Sequence, residues 1–235
     1  MSGIKEQMEV AYALSDCILA EVEQTEFTFD ELSERAKEKV RGRYRETQLD
    51  YEWWEYVYED AVTLGALIGI EVGTNRSAPK NGKSYTEPDI SFSGFCNQGD
   101  GCCYSGTLHI DQLQGCEAKV KAECSDPLLL SIARDGEALF RDILVARVAQ
   151  RMQGVASEDA MTEYSRFSII GNSRYYATCT DNDDEQFDLD DYVSSFADWI
   201  YGRLEAEHDY LMSDECIDES IKQYETLYDE FGSEV

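Results

Sequence analysis

The chain has 235 residues and carries 49 Asp and Glu against 20 Lys and Arg, a net charge of −29 at neutral pH. Its 43% hydrophobic and 11% aromatic content supplies enough apolar surface for a folded core. The charge excludes nucleic acid and anionic membranes as ligands and selects basic protein surfaces. It also far exceeds the magnitude of about 2 to 8 that solubility asks of a small domain.

No stretch approaches the roughly 18 apolar residues of a bilayer span. The first twenty residues hold one Lys among three acids, unlike the basic and apolar regions of a secretory signal. Both features point to a cytoplasmic protein without membrane contact. In that compartment the eight cysteines are expected as reduced thiols. The densest group, Cys96, Cys102 and Cys103, lacks the C-x2-C spacing that grips a zinc ion, so no metal and no cofactor is expected.

In chain order, Thr28-Phe-Asp-Glu31 matches a capping box with Phe27 and Leu32 as its staple, predicting a helix to about residue 46. Six basic residues between Arg35 and Arg45 lie on this helix, and we expect them to neutralise the protein's own carboxylates. A second helix is expected over 50–64, with Trp53, Trp54, Val57 and Ala61 on one side and Gly65 as its stop. Residues 66–72 read as a buried strand, Asn81-Gly82 as a turn and 89–95 as a further strand. Asp100-Gly101 reads as a two-residue hairpin turn returning through 103–110.

Asp126-Pro127 opens a helix to about residue 152 that Gly136 is placed to interrupt. A linker is expected at 154–161, then a hairpin of 164–170 and 174–180 turning at Gly171-Asn172. From residue 181 on, nineteen acids face only Arg203 and Lys222, so this quarter holds −17 of the −29. It is not a disordered tail. Val193, Phe196, Ile200, Leu204 and Leu211 make one helical stripe; Ile217, Ile221, Tyr224, Tyr228 and Phe231 make a second, with Ser213 as N-cap between them.

The expected fold is therefore α+β: an antiparallel sheet, meander plus hairpin, flanked by helices, with an acidic C-terminal helical pair. The expected domains are a core of 1–180 and the pair of 181–235 packed on it.

Catalysis is not expected. Only His109 and His208 are available as imidazole bases, and a Cys103–His109 couple rests on two common residue types close in sequence. Gln98-Gly-Asp-Gly101 lacks the Lys-Ser/Thr of a phosphate loop, and the acids from Asp181 lack the Gly and Glu positions of a calcium loop. What remains is charge density. Seven acids between Glu205 and Glu219 amount to roughly one per 3 Å of helix, against one per about 1.7 Å along duplex DNA.

The blocks Phe27-Thr-Phe-Asp-Glu-Leu-Ser-Glu-Arg-Ala-Lys-Glu-Lys39, Asp50-Tyr-Glu-Trp-Trp54, Phe92-Ser-Gly-Phe-Cys-Asn-Gln-Gly-Asp-Gly101 and Asp198-Trp-Ile-Tyr201 give the chain a resemblance. It is similar to an uncharacterised family of bacteriophage and prophage proteins, some labelled antitoxins of toxin–antitoxin systems. Charge and resemblance together imply a phage protein that binds and inhibits a host nucleic-acid-handling defence protein, of anti-CRISPR or anti-restriction type, by DNA mimicry. The alternative is an antitoxin that neutralises a basic toxin. The expected partner-binding residues are Glu205, Glu207, Asp214, Glu215, Asp218, Glu219, Trp53 and Trp54. The aromatic surplus also makes a homodimer reasonable.

Overall fold

The computed structural model describes residues 26–77, 85–153, 166–173, 178–179 and 189–235. The expected turn at Asn81-Gly82, the linker at 154–161 and the acidic loop at 181–188 lie outside them. The described residues form an α+β protein with six α-helices and antiparallel sheets. They divide into two compact units, residues 26–52 with His208–Val235, and Trp53–Glu207. The first unit is discontinuous in sequence because the N-terminal helix packs on the last one, a pairing that local patterning does not announce.

In the first unit Thr28 does make the capping box: Glu31 Oε2 accepts from Thr28 N at 2.9 Å and from its hydroxyl at 2.8 Å. The box closes only one 3-10 turn, Phe29–Glu31, because Leu32 returns to extended backbone. That reversal buries both Phe29 and Leu32. Ser33 then caps α1, Glu34–Thr47, by accepting from Ala36 N. Its apolar stripe, Ala36 and Val40, packs with Phe29, Leu32, Ile217, Ile221 and Tyr228. Tyr228 is tied to Phe27 by two backbone bonds of 2.7 and 2.9 Å. The expected second stripe holds at Ile217, Ile221 and Tyr228 but not at Tyr224 and Phe231, which are exposed. The last helix ends at Gln223, so helical spacing no longer governs the residues beyond it.

The second unit is organised on one long strand. In chain order it contains α2 (Glu55–Leu67), β1 (Ile70–Val72), β2 (Thr74–Ser77), β3 (Tyr85–Pro88), β4 (Ile90–Ser93), β5 (Gly101–His109), α3 (Cys116–Glu123), α4 (Pro127–Met152), β6 (Arg166–Asn172) and β7 (Thr178–Cys179). Then comes α5 (Leu189–Leu211), and α6 (Asp214–Gln223) belongs to the first unit. β5 pairs with β1 and β4 along one edge and β6 along the other, with β7 beyond β6; β2 and β3 form a separate ribbon. Cys102, Tyr104 and Leu108 point to the core, while Cys103, Ser105 and Thr107 alternate to the other face.

Three glycines have roles other than those expected. Gly65 lies inside α2, where a Cβ would sit 3.0 Å from Ile70 O and from Phe196 Cζ. The stop comes from Gly69 instead, at a φ of +76° that other residues rarely adopt. Gly171 is not in a turn but in β6, paired with Tyr104 across the sheet; a Cβ there would stand 2.1 Å from the Tyr104 ring. Gly136 does not interrupt α4. It lets the Tyr192 ring of α5 lie against the helix, with the hydroxyl 2.7 Å from where a Cβ would be.

β4 and β5 are joined by a seven-residue loop, since Ser93 pairs with Gly101. Asp100 is buried there because its Oδ2 accepts from Cys96 N at 2.9 Å and Asn97 N at 2.6 Å, while Gly99 supplies the positive φ of 108°. The first stripe of the acidic quarter is fully realised: Val193, Phe196, Ile200 and Leu204 of α5 are all buried. Two buried phenols anchor this part of the unit, Tyr192 donating to Ile68 O at 2.7 Å and Tyr104 to Val193 O at 3.2 Å. Burial holds the Tyr192 hydroxyl well above the usual phenol range. No helix among the described residues is long and apolar enough to cross a membrane.

Candidate protein-binding surface

α6 sorts its acids by face. Cys216, Ile217 and Ile221 turn inward, which leaves Asp214 and Asp218 beside α1 and Glu215 and Glu219, one position on and about 100° round, facing solvent. Arg41 is the hub of the inner side. It is buried, and it holds Asp218 bidentately through Nε at 2.7 Å and Nη2 at 2.8 Å, while Nη1 donates to Glu34 Oε1 at 2.8 Å. Arg45 bonds Asp214 and, at 3.0 Å, Glu38. The bonds from Arg41 pull the Asp218 carboxyl below its ordinary range, and the same partners raise the guanidinium.

The basic helix therefore does neutralise the protein's own carboxylates. Lys39 and Arg43 extend the clamp to the carbonyls of Phe231 and Gly232, and Lys222 pairs with Asp30 at 2.8 Å. Asp214 and Asp218 are consequently internal partners, which leaves them poorly suited to meet another protein. Glu215 and Glu219 are exposed one turn apart on a rigid helix. Glu205 is exposed on α5, but Glu207, two residues on and half-buried, points to a different side of that helix, so the two do not share a face.

The tryptophans also separate. Trp53 is only 4% exposed, with Trp54 at 5.8 Å, Phe92 at 5.6 Å and Phe95 at 6.3 Å between ring centroids. It is core. Trp54 is half-buried and edge-on to Phe92 at 5.8 Å. Phe92 stacks on Phe95, whose ring meets Tyr201; the Tyr201 hydroxyl donates to Gly94 O at 3.0 Å. Phe92 and Phe95 were not legible as partners of Trp53, nor Tyr201 as a partner of Phe95, because strand pairing and helix packing, not sequence proximity, bring them together. Arg41 was legible only as one of six basic residues; its i+7 distance from Glu34 carries no signal.

The chemical candidates are dispersed. Cys103 and His109 share a face of β5, but six residues of strand put them about 20 Å apart, beyond any direct proton transfer. His109 Nε2 lies 2.8 Å from Glu71, and the Cys103 thiol 3.0 Å from the Ser91 hydroxyl. Burial raises the Cys102 thiol to about 12 and the Cys116 thiol to about 11, and Cys116 donates to Ala133 O at 2.9 Å. Among the described residues no three His, Cys, Asp or Glu side chains are grouped to hold a metal.

No curated protein and no solved structure matches the chain. A family model does, the domain of unknown function DUF8835, over residues 53–214. The match begins at the residue where the second compact unit begins, and it takes in the whole five-stranded sheet with α2 to α5. It covers well over half of the sequence, and the chain belongs to the DUF8835 family.

Proposed function

We propose that this protein is a non-enzymatic inhibitor that occupies the basic surface of a nucleic-acid-handling protein, a phage-encoded countermeasure to a host defence of the CRISPR or restriction kind. The observation that carries the reading is the display of Glu215 and Glu219 on a helix whose other acids are pinned by Arg41 and Arg45. Charge held on a fixed scaffold meets fixed cations without the ordering cost of a mobile tail, and it steers encounter over a Debye length. On the second unit the half-buried Trp54, at the edge of the aromatic cluster, and the exposed Glu205 are candidate contacts of their own.

The test is capture of the partner from host lysate at low and moderate salt, followed by inhibition of its DNA binding or cleavage. Replacing Glu215 and Glu219 by Lys is expected to slow association and weaken inhibition about tenfold while leaving the thermal melt in place. Full inhibition by the folded variant, unaffected by salt, would overturn the reading. Suppression of a basic toxin's lethality, with no effect on DNA processing, would replace it with the antitoxin reading.

A further inference from the structure

The chain leaves α6 through a left-handed residue. Tyr224 N donates to Ile221 O at 3.2 Å and Glu225 N to Lys222 O at 3.3 Å, and Glu225 takes a φ of 50°. Every other described residue at positive φ is a glycine. Glycine lacks the Cβ that crowds the carbonyl in this conformation and asparagine tolerates it, whereas glutamate does neither. The Glu225 side chain is therefore retained against backbone strain, and strain of this kind gathers where a side chain has a task.

That side chain lines a groove of about 480 Å³ in the first unit, between the end of α6 and the 3-10 turn Phe29–Glu31. The volume lies in the range of ligand sites, roughly 300 to 1,000 Å³. The apolar lining is Phe29 and Ile221, both buried, with Leu227, which is 39% exposed. The charged lining is Asp30, Lys222 and Glu225. Asp30 and Lys222 hold each other at 2.8 Å, so among the described residues Glu225 is the lining carboxylate left without a cation. The C-terminal carbonyls of α6, the negative pole of its macrodipole, end at the same place. All of these residues fall outside 53–214, so the groove is not part of the family domain.

We propose that the groove receives an arginine or lysine side chain of a partner protein, the aliphatic stem packing on Phe29, Ile221 and Leu227 and the cationic head pairing with Glu225. Charge selects this occupant. An anion is repelled by Glu225 and the helix pole together, and a wholly apolar side chain would leave Glu225 desolvated and unpaired. The site rests on the reading of a basic partner and deepens it: α6 displays Glu215 and Glu219 along its length and ends at the groove, so steering carboxylates and an anchoring pocket share one helix. Partly enclosed pairing with a packed stem supplies specificity that exposed carboxylates, screened by salt, do not.

The experiment is a nuclear magnetic resonance titration of the full chain with N-acetyl-arginine amide, whose one charge is the guanidinium, and with its neutral citrulline counterpart. The expected result is saturable shifts at the methyl groups of Ile221 and Leu227 and at the amides of 225–227, with a Kd of about 1 mM, as suits a ligand of this size. The citrulline compound should bind about fivefold more weakly, and Glu225→Gln should weaken the arginine compound by about the same factor. Glu225→Gly, which relieves the backbone, should melt no lower than the wild type and yet lose the groove shifts. No saturable shift at the groove, equal binding of the citrulline compound, or equal binding by Glu225→Gln would each overturn the proposal. Failure of the partner reading looks different: the groove shifts would persist while no basic protein is captured from lysate.

Discussion

Arg41 and Asp218 stand 177 residues apart in sequence and meet through two parallel hydrogen bonds of 2.7 and 2.8 Å. Both side chains are largely shielded, so removing one strands the other. Asp218→Ala is expected to lower stability by about 2 kcal/mol, and Arg41→Lys to recover only part of an Arg41→Ala loss, because an ammonium cannot reproduce the fork. Chemical denaturation of the three variants checks this.

The same pair fixes a pH dependence. Asp218 has a folded-state pKa below its unfolded value, so its contribution is complete above the ordinary carboxylate range and disappears as pH falls through the lowered folded value. The stability gap between wild type and Asp218→Asn should be constant from neutral pH to about pH 5 and narrow below about pH 4. A gap that widens on acidification would contradict the assignment.

Glycines separate into those the packing requires and those it does not. Gly171→Ala forces a methyl group into the Tyr104 ring and should cost on the order of 3 kcal/mol or prevent folding. Gly202→Ala, in α5 with nothing within 4 Å of the new methyl, should stabilise by about 0.5 to 1 kcal/mol. Thermal melts of the two variants should therefore move in opposite directions.

Asp126 serves two elements at once. Its Oδ1 accepts from Leu128 N and Leu129 N at the start of α4, and its Oδ2 from Trp199 Nε1 at 3.0 Å in α5. Asp126→Asn, which keeps a capping oxygen, should cost less than Asp126→Ala, expected at about 2 kcal/mol. Trp199→Phe isolates the second bond and should cost about 1 kcal/mol, read by denaturant midpoint.

Thiol labelling should follow exposure and pKa together. Cys96 is exposed, whereas Cys102 and Cys116 are buried with raised pKa values. A disulfide reagent at neutral pH is expected to modify Cys96 in the native protein, and Cys102 and Cys116 only at the rate of unfolding.

Features carried by local chemistry were legible in the sequence: the Asp126 cap with Pro127 after it, the Ser213 cap, and the α5 stripe through Leu204. Others turn on distant partners. Gly171 looked like a turn because glycine beside asparagine favours positive φ, yet the ring of Tyr104, 67 positions earlier, is what demands it. Asp100 looked like half of a two-residue turn because nothing nearby shows that its carboxylate will be buried on Cys96 N and Asn97 N. Among the candidate contact residues, exposure of Glu215 and Glu219 came from helical period once Ile217 and Ile221 were placed inside. That Asp214 and Asp218 would be taken by α1 did not, since charge count alone does not say which cation finds which acid.

The bridge between Phe27 and Tyr228 has a bearing on biosynthesis. A ribosome adding roughly 5 to 20 residues per second delivers Asp218 about nine to thirty-five seconds after Arg41. During that interval the basic helix keeps Glu34 and Glu38 but lacks Asp214, Asp218 and the apolar faces of Ile217 and Ile221 that cover its stripe, while the sheet can already pair strand by strand. The nascent chain thus passes through a stage with its strongly cationic helix exposed, a stage at which chaperones and proteases have their best access, and one that closes only when α6 leaves the exit tunnel.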